Sequence, residues 1–196
     1  MRELRGDEAD KLTLATRADY APFFAFARAS GLRLRECLLQ WSEVDWEARQ
    51  INKRGKGGRP VPAPITGEVE AILAPLVGDD DVWVFTYVAE RTRGKRIKGR
   101  RYPVTYSGVK TQWRRLRARA GVEGFRFHDF RHDLGTKLLR RTGNLKLVQK
   151  ALNHASIKTT TRYAHVLDDE VTAALSDVQA AQKSRDLSRI ADRKAS

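Results

Sequence analysis

Cysteine and methionine are nearly absent from this sequence, and long apolar runs are missing altogether. The single cysteine, Cys37, excludes an intrachain disulfide and a multi-cysteine metal site. No uncharged apolar run approaches the ~20 residues that a transmembrane helix needs. Residues 1–8 are mostly charged and lack the apolar segment of a signal peptide. We therefore expect a cytoplasmic protein that neither spans nor enters a membrane.

Acidic residues are scarce relative to basic ones. The 196 residues include 38 Lys and Arg but only 24 Asp and Glu, which gives a formal charge of +14 and a pI of about 10.3. A surplus of this size indicates a polyanionic partner. Double-stranded DNA or another nucleic acid is the first candidate. An anionic membrane surface is the second, and the absence of apolar runs disfavours it.

The spacing of apolar residues predicts an α+β fold that is mainly α-helical. Residues 1–16 read as a polar lead-in, and residues 18–40 read as two helices separated at Gly31. Residues 42–65 alternate and turn, so they predict a small three-stranded antiparallel sheet. Thr66 can cap a following helix, and residues 82–85 are predicted to be a buried strand or extended segment. The remaining predicted helices span roughly 106–120, 127–141, 144–152, 156–162 and 168–184.

Two basic segments are candidates for DNA contact. The first is a Gly-containing loop or hairpin, and the second lies on the predicted helix 106–120. Side chains of this kind bind phosphates, which positions a duplex without reading its sequence. The candidate residues are Arg91, Arg93, Lys95, Arg96, Lys98, Arg100, Arg101, Lys110, Arg114 and Arg115.

Three separated segments combine arginine, histidine and tyrosine in a way that suggests chemistry. They are Ser30–Glu36, Phe127–Asp133 and Leu152–Tyr163. None of them has the paired carboxylates of a divalent-metal site. Together they offer cations for an anion and a hydroxyl group as the nucleophile. We therefore expect neither a metal nor a cofactor.

These segments resemble the motifs of the tyrosine recombinase, or phage integrase, family, and the likeness extends from about residue 17 to about residue 178. The family's first motif is a small residue, Gly, an apolar residue, Arg, two variable residues and Glu, as in Ser30–Glu36. Its second is His-x-x-Arg-His, and its third is Leu-Gly-His with a Tyr nine residues later. Here Asn153 replaces that glycine, and Asn also tolerates a left-handed backbone. The resemblance implies six catalytic residues: Arg33, Lys56, His128, Arg131, His154 and Tyr163.

Motif spacing identifies the catalytic lysine less firmly than the other five residues. The family uses a lysine on a turn of the small sheet, before a Val-Pro-Leu-like strand. Lys56 precedes Val61–Ile65 at a fitting distance, and Lys53 is the rival if the turn lies earlier. Three further residues are expected to support the site: Glu36 and Asp129 as orienting groups, and His132 as either a secondary active-site group or a structural one.

The resemblance implies a site-specific recombinase or integrase that cleaves and rejoins DNA through a 3′-phosphotyrosine on Tyr163. Arg33, Arg131 and His154 would bind the phosphate, His128 would accept or relay the tyrosine proton, and Lys56 would protonate the 5′ oxygen. A type IB topoisomerase-like enzyme and a catalytically inactive DNA-binding integrase remnant are the alternatives. A ribosome- or RNA-associated protein would explain the charge but not the motifs.

We expect residues 1–182 to form the integrase-type catalytic domain and residues 183–196 to be a charged C-terminal tail. An N-terminal core-binding domain, usual in the family, is expected to be absent. The segment after Tyr163 contains Leu167, Val171, Ala174, Leu175 and Val178 at helical spacing. It either folds back on its own core or docks on a neighbour in a homo-oligomer, such as a tetramer on DNA. The expected location is a bacterial cytoplasm or nucleoid, or the host cell of a phage or mobile element.

Overall fold

The computed structural model describes residues 2–167, 171, 175–180 and 182, which form helices together with a three-stranded and a two-stranded antiparallel sheet. The α-helices are α1 Glu8–Ala15, α2 Ala21–Ser30, α3 Gly67–Leu73, α4 Tyr106–Ala120, α5 Asp129–Thr142, α6 Leu145–Ala151 and α7 Ile157–Thr160. The strands are β1 Val44–Asp45, β2 Gln50–Arg54, β3 Pro60–Pro64, β4 Thr86–Val88 and β5 Arg101–Pro103. Short 3-10 helices occur at Ala18–Tyr20, Trp41–Glu43, Lys56–Gly58, Ala74–Leu76 and Thr161–Leu167.

The predicted three-stranded sheet is confirmed, with order β1-β2-β3 and antiparallel pairing throughout. Val44 pairs with Ile51, and Ile51 in turn pairs with Ala63. β3 has proline at every second position, and a proline has no N–H to donate to a ladder. Strands of this kind are confined to sheet edges, and β3 is indeed an edge strand. The turn between β2 and β3 closes with a hydrogen bond of 2.8 Å from the Gly55 N–H to the Arg59 carbonyl.

The basic segment 91–101 is the tip of a second hairpin, in which β4 pairs with β5. The prediction of a loop or hairpin there is therefore confirmed in its hairpin form. A tight turn joins Arg93 and Arg96, whose backbones bond to each other at 2.9 and 3.1 Å. Every residue from 91 to 101 is exposed. The fold thus projects this positive charge into solvent.

Two expectations about the N-terminal half were wrong. Residues 1–16 are more than a lead-in, because α1 forms there and Leu12 is buried in the main core. Residues 32–40 are not a helix. A single helical turn forms, with the Cys37 N–H bonded to the Arg33 carbonyl at 2.9 Å, and the chain then becomes extended. Long-range pairing at the end of this segment, where the Val84 N–H donates to the Leu39 carbonyl at 3.1 Å, overrides the local helical pattern.

The helices after residue 105 agree closely with the sequence pattern. α4 spans 106–120 as predicted, with the Thr105 hydroxyl accepting from the Gly108 N–H at its start. α5 begins at Asp129, two residues later than predicted, and ends at Gly143 in the left-handed conformation. The predicted helix 156–162 is divided into α7 and the 3-10 helix Thr161–Leu167. The described residues of 171–182 are helical, whereas the predicted tail 183–196 lies outside the described residues.

Two apolar clusters organise the described part of the chain. The larger one packs α2 against α4, α5 and the sheet, and its aromatic centre includes Phe23, Trp113, Phe125 and Phe130. The smaller one consists of Leu139, Val148, Leu152 and Tyr163, with Leu134, Leu138 and Leu145 packed against it. The smaller cluster therefore places the end of the third motif against α5, the helix of the second motif.

Candidate active site

Arg33 is held by a carboxylate three residues away. The Arg33 Nη1 donates to Glu36 Oε1 at 2.9 Å, and the Arg33 backbone N–H donates to Glu36 Oε2 at 2.8 Å. The Glu36 side chain is buried, while that of Arg33 remains 46% exposed. A buried carboxylate with two such bonds fixes the orientation of the guanidinium and leaves its outer donors open to solvent. This geometry supports the role expected of Glu36.

Arg131 joins the three sequence motifs. Its side chain is buried, and its guanidinium donates to the Gly31 carbonyl at 2.9 Å and to the Leu152 carbonyl. Burial, and next the positive charge of Arg33, lower the pKa of Arg131 to about 10. The group is therefore still cationic at neutral pH. Because a guanidinium has five donors in a plane, it can bind both carbonyls and still have donors for a ligand.

His128 lies at the start of α5, in the residue that precedes its first turn. Its side chain is exposed at the rim of the site. Partial desolvation lowers the pKa of His128, and the charges of Arg131 and Arg33 lower it further. Asp129, buried beside it, accepts a hydrogen bond of 2.8 Å from the Arg126 N–H. Asp129 thus stabilises the turn that holds His128.

His154 is buried next to the arginines. Its Nδ1 lies 2.9 Å from the Thr160 hydroxyl oxygen. Burial, followed by the charges of Arg131, Arg33, Arg162 and His128, lowers the pKa of His154 to about 4. These effects require all four cationic or basic groups to lie close to His154. The imidazole is therefore neutral at physiological pH in the absence of a bound anion.

The departure at Asn153 is accommodated by the backbone. Asn153 has φ +48°, in the left-handed region where Asn and Gly are tolerated best. Its side-chain amide also donates to the Pro62 carbonyl at 2.7 Å, which a glycine could not do. The substitution therefore keeps the chain geometry of the motif and adds a contact between the third motif and β3.

Tyr163 lies inside its own subunit, with its ring buried in the smaller apolar cluster. The ring stacks on His132, with centroids 5.1 Å apart, and lies nearly parallel to His154 at 6.3 Å. Burial raises the pKa of Tyr163, although Arg131 and Arg162 oppose this. The resting side chain is therefore a neutral phenol. His132 is also buried, and its contact with the tyrosine ring suits either of the two roles expected of it, a secondary active-site group or a structural one.

Lys56 lies on the β2–β3 turn, at the position that the resemblance implied. Its backbone belongs to the 3-10 helix Lys56–Gly58, and its side chain lies outside the described part of the structure. The rival, Lys53, is mostly buried and bonded to the Glu43 carboxylate and the Leu38 carbonyl, each at 2.7 Å. Lys53 is thus occupied by structural contacts, which favours Lys56.

Two open grooves adjoin the motifs. A groove of about 880 Å³ is lined by Arg33, Leu34, Arg35, Glu36, Arg54, Gly55, Arg59, Val61, Tyr106 and Asn153. A shallower one of about 550 Å³ is lined by Arg59, Asn144, Lys146, Leu147, Gln149, Lys150, Asn153 and His154. The two share Arg59 and Asn153, so they border each other at the third motif. Both are rich in positive charge.

Several residues at this site were not singled out from the sequence. Arg162 and Thr160 affect His154, and Gly135 lies beneath the Tyr163 ring. The position of Arg162 directly before the tyrosine was a usable signal. The roles of Gly135 and Thr160 depend on how α5 packs on the following helices, which residue spacing does not reveal.

The residues proposed for DNA contact lie outside this cluster of motifs. All ten are exposed, seven on the β4–β5 hairpin and three on α4. Three of these side chains contact other groups of the protein. Arg101 bonds to Asp79 at 3.0 Å, and Arg96 lies over the Tyr87 ring. Lys110 lies near the Tyr106 ring at the edge of the larger groove.

The described residues bear on membrane contact, metal binding and assembly. No helix among them is both long and apolar enough to cross a membrane, and they contain no cluster of three or more His, Cys, Asp or Glu that could hold a metal ion. Beyond the tyrosine, Val171, Leu175 and Val178 are more than half exposed. These side chains do not fold back on the core in this structure. Leu167 and Ala174 lie outside the described side chains.

The chain is similar in sequence to known integrases and tyrosine recombinases, the family that its motifs resemble. The chain is 26% identical to the integrase of Salmonella phage P22 over 88% of its length and 46% of that protein. It is 35% identical to a putative integrase/recombinase of Sinorhizobium fredii, covering 80% of the chain and 38% of that protein. It is 30% identical to the tyrosine recombinase XerA of Pyrococcus furiosus, over 70% of the chain and 46% of that protein. The chain thus spans less than half the length of each of these relatives.

Solved structures agree on the fold. The crystal structure of XerA recombinase matches 90% of this chain and 63% of its own, with a TM-score of 0.66 and 24% identity. The catalytic domain of bacteriophage HP1 integrase matches 90% of this chain and 94% of its own, with a TM-score of 0.62 and 18% identity. The fold is therefore that of tyrosine recombinase catalytic domains. The phage integrase family model matches residues 2–170, and the chain belongs to that family.

Proposed function

We propose that the protein cleaves and rejoins DNA strands at specific sites through a 3′-phosphotyrosine on Tyr163. The observation that supports this most directly is the position of Arg131. It bonds to the backbone of the first and third motifs, and it influences the pKa of Tyr163. Arg131 thus connects residues 31 and 152, which are far apart in sequence, and its positive charge acts on the hydroxyl of Tyr163.

In this proposal the scissile phosphate binds between Arg33, Arg131 and His154. Arg33 has its outer donors exposed, and Arg131 has donors beyond those given to the two carbonyls. Where Thr160 donates to His154 Nδ1, the imidazole presents an N–H at Nε2, which is a donor for a non-bridging oxygen. Charge grows on these oxygens as the phosphorus becomes five-coordinate, and fixed donors stabilise that charge most effectively.

The reaction itself is a balanced transesterification. The Tyr163 oxygen forms a bond to phosphorus, and the bond from phosphorus to the 5′ oxygen breaks. His128, neutral at physiological pH because its pKa is lowered, accepts the phenol proton, and Lys56 donates a proton to the leaving oxygen. The reverse attack by a 5′-hydroxyl rejoins a strand. Because the phosphodiester is conserved as a phosphotyrosine, rejoining needs no nucleotide hydrolysis.

Positive charge outside the site would hold the duplex. The exposed hairpin tip at 91–101 and the α4 residues Lys110, Arg114 and Arg115 suit contacts with phosphates. Each contact releases counterions, so binding should weaken steeply with salt. DNA complexes of XerH and of the Tn1549 integrase are among the similar structures and support a DNA substrate for this chain.

Assembly and location follow from the same proposal. The exposed apolar residues Val171, Leu175 and Val178 suit docking on a second copy, and a tetramer on DNA would use them. Residues 1–182 would be the catalytic domain, acting in the cytoplasm or nucleoid where its substrate lies. Integrase, chromosome-dimer resolvase and transposon recombinase roles share this chemistry. A type IB topoisomerase-like activity shares it as well.

A catalytically inactive remnant is the competing function. Loss of selection for chemistry would leave changes scattered among the catalytic positions. All six implied residues are present in the sequence, and Arg33, Arg131, His154 and Tyr163 are assembled around one site. The assembled site therefore favours an active enzyme.

Covalent trapping tests the proposal. The protein is mixed with a random-sequence pool of nicked duplexes, from which a cleaved strand diffuses away so that the intermediate persists. A denaturing gel should show a protein–DNA band that Tyr163→Phe abolishes. Tyr20→Phe, which removes a hydroxyl from the main core, serves as the matched control and should retain the band. No band with the unaltered protein, or a band that survives Tyr163→Phe, would contradict the proposal.

A further inference from the structure

The larger groove has more positive charge than one phosphate requires. Four arginines line it, namely Arg33, Arg35, Arg54 and Arg59, and Glu36 is its one acidic residue. Both Glu36 oxygens are already bonded to Arg33. In the part of the chain that the structure describes, no carboxylate forms an ion pair with the other three arginines. The groove therefore has uncompensated charge beside the proposed scissile-phosphate site.

Arg35 is held in place by an aromatic contact. Its guanidinium lies over the Tyr106 ring, 4.5 Å from the centroid. A cation held against an aromatic face is attracted to the ring without using its N–H donors. Arg35 is therefore positioned and keeps those donors for a ligand. Its side chain is exposed in the groove, so a ligand can reach it.

Tyr106 also lies next to a second cation. The Nζ of Lys110 is 5.6 Å from the centroid of the same ring. Tyr106 is the first residue of α4, whose first turn has no acidic residue. The charge of Lys110 and the positive end of the α4 dipole thus add to the positive charge of Arg35. All of these groups favour an anion at this end of the groove.

The dimensions suit a second phosphate of the same strand. Arg33 and Arg35 are two residues apart, so their Cα atoms are at most about 7 Å apart. Phosphates of one strand follow each other every ~3.4 Å along the duplex axis. A groove of about 880 Å³ is also larger than a single phosphate needs. A strand bound at Arg33 would therefore bring a neighbouring phosphate to Arg35.

We propose that Arg35, held by the Tyr106 ring, binds the phosphate next to the scissile one on the cleaved strand. Arg35 is then a positioning residue: it fixes the strand so that the scissile phosphorus faces Tyr163. This inference rests on the proposed function for its choice of phosphate. The presence of an anion site at Arg35 depends only on the groove, and the two experiments below separate these statements.

The first experiment measures binding without cleavage. The Tyr163→Phe protein is titrated with a fluorescent random-sequence duplex over a series of salt concentrations. Adding Arg35→Gln should weaken binding about tenfold at low salt and reduce the slope of log K against log salt by about 1. Adding Arg28→Gln instead, at an exposed arginine of α2 outside the groove, should change the slope little. Equal slopes for the Arg35 and Arg28 variants would overturn the anion site.

The second experiment locates the phosphate. A substrate recovered by covalent trapping is made with a neutral methylphosphonate at one position at a time on either side of the cleavage point. The unaltered protein should form the covalent complex more slowly when the neighbouring phosphate is neutral. Arg35→Gln should form the covalent complex slowly with the unmodified substrate. A methylphosphonate at the neighbouring position should not slow this variant any further. Two results would overturn the assignment of this phosphate to Arg35. One is that Arg35→Gln remains as sensitive as the unaltered protein to methylphosphonate at every position. The other is that only methylphosphonates on the uncleaved strand slow the reaction.

Variants of Tyr106 distinguish positioning from a general structural role. Tyr106→Leu removes the ring and should reproduce part of the Arg35→Gln pattern, whereas Tyr106→Phe keeps the ring face and should retain the position-specific sensitivity. A merely structural role would change thermal stability and slow all substrates alike. If the unaltered protein traps no DNA but the salt slopes still differ, the anion site holds and the proposed chemistry fails.

Discussion

The Tyr163 ring lies directly on Gly135, so closely that a Cβ at Gly135 would come within 2.9 Å of the tyrosine Cζ. The same Cβ would lie 2.9 Å from Leu152 Cδ1. Both neighbours belong to the small apolar cluster that buries the tyrosine. The absence of a side chain at one position of α5 is therefore what allows the tyrosine to dock in its own subunit.

Gly135→Ala should displace the tyrosine. Overpacking of this kind costs about 1–3 kcal/mol, and a misplacement of about 1 Å at a reacting group can lower a rate about 100-fold. We expect a modest decrease in the free energy of unfolding, measured by chemical denaturation, and a large decrease in the rate of covalent trapping. Gly67→Ala is the matched control, because a Cβ there meets no atom within 4 Å. Equal trapping by the two variants would show that the tyrosine tolerates the added methyl group.

Arg131→Lys should reduce both stability and activity. Arg131 donates to two carbonyls from two nitrogens of its planar guanidinium, and the single ammonium of a lysine cannot reproduce this geometry. The buried carbonyls of Gly31 and Leu152 would therefore lose donors. We expect a loss of about 2–4 kcal/mol in the free energy of unfolding, and trapping reduced about 100- to 1000-fold.

Arg33→Lys provides the comparison. Arg33 is about half exposed, and a lysine can still pair with Glu36. Arg33→Lys should lower the free energy of unfolding by less than about 1 kcal/mol. The rate of covalent trapping should fall strongly, because the planar guanidinium donors are lost. Denaturant titrations of both variants check this difference. A large loss of stability for Arg33→Lys, or none for Arg131→Lys, would contradict the structural role assigned to Arg131.

Acidification should destabilise the protein through His154. The pKa of His154 is lowered to about 4 in the folded state, below the value of about 6.5 in an unfolded chain. Between these values the unfolded state binds more protons, so stability is complete above pH ~6.5 and falls as the pH is lowered towards 4. The loss attributable to this group is about 3 kcal/mol.

His154→Gln removes this titration. Thermal melts between pH 7 and 4 should show a shallower decline for the variant than for the unaltered protein. The variant itself loses the contact with Thr160, so its stability at pH 7 provides the baseline. Parallel declines would show that other groups dominate the acid response.

The N-terminal residues are bound to the helix that contains Arg131. The buried carboxylate of Asp133 accepts from the Leu4 N–H at 3.0 Å and pairs with Lys137 at 2.7 Å. Asp133→Ala should therefore lower the free energy of unfolding by about 1–3 kcal/mol and raise the rate of hydrogen exchange at the Leu4 amide. Lys137→Ala, which removes an exposed partner, should cost less than about 1 kcal/mol. Unchanged exchange at Leu4 in Asp133→Ala would contradict this attachment.

The sequence-based interpretation of the site depended on order and spacing more than on any single residue. His128, Arg131 and Tyr163 were chosen because their motifs follow one another at fitting separations. Their catalytic roles remain predictions, although the structure brings their segments together. The assignment of residues 32–40 to a helix was wrong because the pairing of Leu39 with Val84 and the capping of Arg33 by Glu36 are not periodic signals.

The sequence by itself determined the family, the charge and the major helices, because local periodicity and motif spacing are one-dimensional properties of the chain. It also located the sheet and Lys56 on its turn. Only the tertiary structure decided that Arg131 binds the Gly31 and Leu152 carbonyls, that Gly135 makes room for Tyr163, and that Arg35 faces Tyr106. These contacts join residues from distant segments, and their distances depend on how the helices pack, which no spacing along the chain specifies.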